Sequence, residues 1–519
     1  MNIKQVSYCE PISRRQLLKN IQMKTKFLFI FVASCFIFVS CDLNEKPYGF
    51  YSDDNFYKTK EDAQSALYYA YNALNYNEIM RATFYINELA TETTDVKGEE
   101  GFGSQELNNW SSATFGTNEQ LELNFKYYYV GINRTNAVID NVSSSTFNQT
   151  DKNRILGEAY FLRAWEYFNL VKNYGIVPLQ KKSIKTVAQT YPAMAKSIDE
   201  VYNFIISDCM TSESLLKVNR VTGCVDKVAA QSLLAKVYLV IASAKESNVK
   251  LYKDMNKDIT QMYDSASYWS HKVLYDQTVY SMDTTLLNIY NSNKPDGPEH
   301  IFILAYDRSG TNEGEFSSID KLWIPYASGS PLWFPNPDGT YTKATNQGWG
   351  VFLPTDAFVN SYDNADKRKT QLLSKRYYTS SDGKTFKDNT NYITRKYIDP
   401  DYIGVRSTVR PYFIRFSEVA LIYAEAQGPT IEGYKWLNKI RTRAGLLDAS
   451  AVMGVDDFRN YVVQERAFEL AFEGQRLLDL RRKAMVTKVD PKAMAAGISE
   501  EDAAFYPIPQ KEIDLNTSN

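Results

Sequence analysis

"QERAFELAFEGQRLLDLRRK", Gln464 to Lys483, spaces Glu465, Glu469 and Glu473 four residues apart and sets Arg466, Arg476, Arg481 and Arg482 around them. Read as one helix, it puts the three carboxylates on a single ridge, because residues three and four apart share a helix face. Two chemistries fit. Crowded carboxylates split their pKa values into an acid and a base, as a catalytic pair requires. Glu and Arg at the same spacings also build salt-bridged helix networks, which are the commoner outcome. The remainder of the chain decides between them.

The chain has 519 residues, 44% of them hydrophobic, enough for a large core. Length alone allows two to four units, but the patterning reads as one. The two histidines, His271 and His300, are not at metal-ligand spacing, which argues against a zinc site or a histidine-driven triad. Near the start, Met23-Lys-Thr-Lys opens a basic segment followed by "FLFIFVASCFIFVS" and then Cys41-Asp. This is the pattern of a secretory signal, too short for a comfortable span of ~20 residues. Ser40 before Cys41 makes that cysteine the expected lipid acceptor and residues 1 to 40 the leader, with Met23 an alternative start. Cys35 in "VASC" competes less well, because cleavage there leaves apolar Phe36 to Val39 at the new terminus. Residues 1 to 40 carry a net +5, so the mature chain falls from −2 to −7, which argues against nucleic acid as a partner. Cys209 and Cys224 then remain, to pair or to stand as two thiols.

Helical signals fill both ends. Thr59 with Asp62 reads as a capping box before "EDAQSALYYAYNAL". The runs "NEQLELNFKYYYVGINRTNAVIDNV" and "DKNRILGEAYFLRAWEYFNLVKNYG" follow, the second expected to start at Asp151 and to end at Gly175. Ser197 and Asp226 open two more, and helix recurs in "QMYDSASYWSHKVL", "RFSEVALIYAEAQ" and "IEGYKWLNKIRTRAG". Small residues beside large ones, such as Ala164 with Tyr167 and Phe168, are what tetratricopeptide-type helix pairs use to pack closely, although no strict repeat period is visible. The expected class is mainly α: a single unit over 41–519, helical over about 55–277 and 413–519, with a loop-rich part over about 278–412. The loop reading rests on "IPYASGSPLWFPNPDGTYTKATNQGWGVFLP", Ile324 to Pro354, which is dense in turn formers. "ETTDVKGEEGFGSQELNNWSSATFGTNE", from Glu92, reads the same way.

There is no G-x-S-x-G elbow, no H-E-x-x-H and no dinucleotide fingerprint, and "DGKT" at Asp382 lacks the first glycine of a phosphate loop. Trp165, Trp269 and Trp436 fall in helical patterns and read as core. Trp110, Trp323, Trp333 and Trp349 fall in loops. A rigid aromatic face with polar groups at its edge suits a sugar ring. On that ground Trp110, Asn109, Trp323, Tyr326, Trp333, Phe334 and Tyr341 are the candidate ligand residues, and Trp349 reads as structural. Prolines 325, 331, 335 and 337 stiffen the loop. The competing reading has these rings pinning loops to the body. If they bind, Trp323→Ala and Trp333→Ala weaken binding and leave stability unchanged.

The leader ending in Cys41-Asp, "FYKTKEDAQSALYYAYNAL", "GEAYFLRAWEYFNLVKNYGIVPL", "RFSEVALIYAEA", "LNKIRTRAGL", the opening stretch and the closing "FYPIPQKEIDLN" together resemble the SusD/RagB family of outer-membrane nutrient-binding lipoproteins. The resemblance covers nearly all of the mature chain. It implies a SusD-like fold with four tetratricopeptide-like helix pairs. It also implies lipid anchoring in the outer membrane facing the exterior, a SusC-type TonB-dependent barrel as partner, and capture of an oligosaccharide, or in RagB-like members a peptide, without catalysis. No cofactor is implied; a structural calcium in the Asp-rich "SYDNADKRK" stays open. The alternatives are a glycoside hydrolase using Glu469 and Glu473, which requires carboxyls about 5 or 6.5–9.5 Å apart across an open cleft, and a helical scaffold for other proteins. With the resemblance, the opening stretch becomes a charge network holding the last helices to the scaffold, with Gly474 at a close contact or a break.

Overall fold

In the computed structural model the described residues are 57–516, apart from Phe102, Glu313 and Ala451. The expected leader, Met23 and Cys41 lie outside them. Seven helices carry the first part: α1 (Lys60–Asn72), α2 (Asn77–Glu88), α3 (Glu119–Val142), α4 (Gln149–Tyr174), α5 (Ile198–Leu215), α6 (Lys227–Glu246) and α7 (Ile259–Tyr275). Four more close the chain: α8 (Phe416–Gln427), α9 (Ile431–Arg443), α10 (Val455–Glu469) and α11 (Arg476–Arg482). Their starts follow side-chain chemistry. The Thr59–Asp62 capping box forms, and Asn118, Ser197 and Asp226 accept from the first free amides of α3, α5 and α6. The cap of α4 lies three residues before the expected Asp151: Asn148 accepts from the Asp151 amide, so Asp151 sits inside the first turn.

Successive helices from α3 to α7 pack against one another, each on the next. Alanines such as Ala159, Ala164 and Ala229 are fully buried between them. Helix α7 then packs directly against α8, although the whole segment from Asp276 to Arg415 separates them in sequence, and Gln427 of α8 donates to Ser267 of α7 at 2.6 Å. The middle of the chain is thus an excursion between two adjacent layers.

That excursion is more regular than its composition implies. It holds β2 (His300–Ile303), β3 (Leu332–Pro335), β4 (Tyr341–Ala344), β5 (Phe352–Pro354), β6 (Leu373–Tyr378), β7 (Phe386–Thr394) and β8 (Tyr412–Arg415), and β5 pairs back to β1 (Thr94–Val96). An antiparallel four-stranded sheet runs β4-β3-β6-β7, and β2 pairs with β8. Asp338-Gly339 and Asp382-Gly383 turn its two hairpins, the D-G signal that a reading for loops passes over. One face of the sheet is core: Leu332, Phe334 and Ala344 pack with Ile324, Ile393 and Ile398.

Cys209 is buried and Cys224 partly so, and both are free thiols, which decides against pairing. Burial raises both, Cys224 to about 12.

One buried cation works against the fold. Lys172 of α4 is buried beside Lys236 and Arg481, and burial, then Lys236, pull its pKa from 10.5 down to about 7, although Glu418 acts in the opposite direction. As pH falls from about 10.5 to about 7 the unfolded chain takes a proton that the folded chain refuses, so stability falls; below about 7 both states hold it and the cost is constant. Lys172→Met is expected to stabilise by about 1–4 kcal/mol at neutral pH, a gain that shrinks toward pH 10.5 in denaturant titrations. A gain independent of pH would show that lysine titration is not its source.

Candidate ligand cleft and the ionic joint beneath it

Gln464 to Lys483 is two helices, not one. α10 ends at Glu469, Phe472 and Gly474 adopt φ of 67° and 72°, and α11 begins at Arg476. Gly474 marks the break, and its amide donates to Glu88 of α2. Glu473 therefore leaves the helical ridge, yet its carboxylate and those of Glu465 and Glu469 converge on one buried network.

Arg368 pairs with Asp366 and Glu465, each at 2.7 Å, and with Glu469 at 3.4 Å. Arg415 of β8 reaches Glu299 and Glu473 at 2.8 Å and Glu469 at 3.3 Å. Arg443 of α9 pairs with Glu469 at 2.6 Å and with Glu299. Lys396 meets Glu473 at 2.6 Å. Arg368, Lys396 and Arg415 come from the excursion, so the network is the joint that fastens it to the closing helices.

Glu469 and Glu473 do not make an acid–base pair. Burial pushes the Glu469 carboxyl upward, but Arg443, Arg415 and Arg368 outweigh it and hold the group at about 2. Glu473 is likewise held below its ordinary value, burial being outweighed by Arg415 and Lys396. A glycosidase needs one carboxyl protonated near neutrality. Both of these are anions, and both are buried.

The candidate binding residues separate by burial. Trp110 is 2% exposed; its indole N–H donates to Asp490 at 2.8 Å and its ring lies 6.3 Å from Phe115. Trp323, 1% exposed, is packed among Phe84, Phe352, Tyr397 and Phe472. Phe334 is fully buried on the core face of the sheet. These three are not stacking platforms: each already has its partners in the interior. Asn109 and Tyr326 are exposed, but neither lines the cleft described next. Trp349 lies under Lys321 and Arg81.

Trp333 and Tyr341 do come together. Side chains alternate across a strand, so with Phe334 inward Trp333 points outward, and the β3–β4 register places Lys343 directly opposite Trp333 and Tyr341 opposite Pro335. This outer face walls a cleft of about 840 Å³, closed on its other sides by the segments around Asn288–Asn293 and Pro400–Asp401 and floored by Arg395 and Arg443. Among the described residues no aromatic or cationic group lies over the half-buried Trp333 ring. In register with it stand Tyr378 on β6 and, beyond, Phe386 on β7, whose ring is covered by Arg376 at 3.8 Å. A second depression, of about 850 Å³, lies on another side of Arg443, but its tryptophan, Trp436, is covered by Lys439 at 3.9 Å.

Of the candidate loop aromatics Trp333 and Tyr341 line the cleft, and Lys343 and Arg395, which the loop reading did not single out, line it with them; the alternation around the two D-G turns is the signal that separates Trp333 from Phe334. Among the described residues no group of three or more His, Cys, Asp or Glu side chains is placed to hold a metal. In "SYDNADKRK", Asp366 is taken up by Arg368.

The described residues thus form a helical scaffold that carries a sheet-walled cleft. The comparisons name the class. The model of the SusD family matches residues 369–518, and that described as starch-binding, associating with outer membrane, matches 51–239. The chain is 23% identical over 504 residues to SusD-like protein P2 of Formosa agariphila, covering 89% of this chain and 92% of that one. Its fold is similar to that of a SusD superfamily protein from Parabacteroides distasonis, with a TM-score of 0.73 at 20% identity over 88% of this chain and 98% of that chain. It is also similar to a laminarin binding SusD-like protein, with a TM-score of 0.70 at 20% identity over 88% and 97%. The chain belongs to the SusD/RagB family, and the fold is the SusD fold.

Proposed function

We propose that the protein is a surface glycan-binding lipoprotein that captures an oligosaccharide in the cleft walled by β3 and β4 and delivers it to a SusC-type TonB-dependent outer-membrane barrel, with no turnover of its own. The observation that carries the binding step is the uncovered ring of Trp333 beside Tyr341, with Asn288, Asn291 and Asn336 around it. A sugar ring lays its C–H face on such an indole while amides at the edge bond its hydroxyls. The starch-binding description of one matching family and the laminarin-binding name of a structural relative support a carbohydrate over a peptide. Lipid anchoring at Cys41 rests on the leader, and outward orientation on the resemblance to the family.

Trp333→Ala is expected to weaken oligosaccharide binding about five- to tenfold, the loss of one stacked ring, with the melting temperature nearly unchanged because the ring is half exposed. Calorimetric titration of both forms with a glycan panel tests it. Equal affinity in the two would remove the cleft as the binding site.

A further inference from the structure

The charge of the cleft is at odds with that of the whole chain. The protein carries a formal −2, yet the cleft is lined by Lys343, Lys367, Arg395 and Arg443 against two carboxylates, Asp338 and Asp401. Both carboxylates are already engaged. Asp401 pairs with Arg308 at 3.2 Å and accepts from Asn293, and Asp338 accepts from the Thr340 amide and hydroxyl at 3.0 and 2.6 Å. Arg443 is neutralised from below by Glu299 and Glu469. Lys343, Lys367 and Arg395 are not: among the described residues none of them has a carboxylate at ion-pair distance, although Lys343, its ammonium over the Tyr402 ring at 5.1 Å, is close enough to Asp401 to help lower that carboxyl.

Arg395 is the most telling. Its side chain is buried, and every partner it has is neutral: the carbonyls of Pro335 and Gln371 at 2.7 and 3.1 Å and the amide oxygen of Asn336 at 2.6 Å. Its Nε–H has no partner. Burial alone pulls it down to about 10, with no carboxylate opposing. A neutral ligand closing over Lys343 and Lys367 would strip water from them and leave Arg395 still without a counter-charge, whereas an anionic one repays that cost. Lys343 stands in register with Trp333 on the same face of the sheet, and both line the cleft, so one ligand stacked on the ring lies in the same cleft as an ammonium.

We infer that the cleft takes an anionic oligosaccharide, its rings stacked on Trp333 and its carboxylate or sulfate groups placed against Lys343, Lys367 and Arg395. This rests on the reading of the cleft as the glycan site. The test titrates the full chain with an oligogalacturonate, a sulfated galactan oligosaccharide and a neutral β-glucan oligosaccharide of equal length, at low and high salt. At least one charged probe is expected to bind roughly tenfold or more tighter than the neutral one and to weaken with salt; whichever binds identifies the anionic group. Lys343→Gln, at a partly exposed position that does not threaten folding, is expected to cost the charged probe about three- to tenfold and the neutral probe nothing. Arg395→Gln, checked for its melting temperature, should do the same.

Absence of binding by both charged probes, or neutral binding of equal strength, overturns the inference. So does an equal loss for charged and neutral probes in Lys343→Gln. The two readings fail separately. Charged binding lost in Trp333→Ala but intact in Lys343→Gln keeps the cleft and removes the charge, and charged binding that survives Trp333→Ala removes the cleft and the inference with it.

Discussion

Glu469→Gln is expected to destabilise the full chain by about 3–5 kcal/mol, the largest effect of any single conservative change in the joint. The substitution keeps the shape and deletes the charge that Arg368, Arg415 and Arg443 share. Three guanidiniums would then be buried with one anion fewer. The pH dependence has a definite sign. The folded pKa of Glu469 lies near 2, below the ordinary value of 4.5, so its contribution is fully present above about 4.5 and is lost as pH falls toward 2. Denaturant titration of the variant should therefore show a deficit that narrows below pH 4.5. Affinity for a neutral glycan per folded molecule should stay the same. A variant as stable as the parent would mean that the joint is not a source of stability.

Trp323→Ala reverses what the loop position alone implies. The sequence expectation is a loss of binding at constant stability; the structure requires a loss of stability at constant binding. Its ring is boxed by four aromatic side chains, with Tyr397 stacked at 5.7 Å and Phe352 at 4.9 Å. Truncation leaves a cavity that so rigid a cage does not fill, costing about 3–5 kcal/mol and, for a folded unit of this size, roughly 3–5 °C in Tm. Thermal melting beside glycan titration separates the two outcomes, and weakened binding with an unchanged melt would restore Trp323 to the ligand site.

The helices were legible because their signals are local. Thr59, Ser197 and Asp226 cap within three residues of themselves, and Gly175 stops α4 where a positive φ is needed. The site was legible only in part, because exposure is a non-local property. Trp110, Trp323 and Trp333 sit in similar turn-rich surroundings, and what separates them is Asp490, far away in sequence, for the first, an aromatic cage for the second and an open sheet face for the third. The role of the opening stretch was half legible. Its composition announces ion pairing, but its partners Arg368, Lys396, Arg415 and Arg443 lie outside it, and the break at Gly474 carries Glu473 to them from off the helix.

Because α7 and α8 are packed neighbours, the chain leaves the helical body and re-enters it at nearly the same place. The closure entropy of such a detour grows only with the logarithm of its length, so residues can be gained or lost between Asp276 and Arg415 at little thermodynamic penalty while the helices stay in contact. The cleft wall is then an exchangeable cassette. What fixes a replacement in place is a short list of plug residues, Arg368, Lys396 and Arg415, that must meet the carboxylates of Glu465, Glu469 and Glu473. A transplanted wall that keeps those three would carry its own ligand preference onto an unaltered frame.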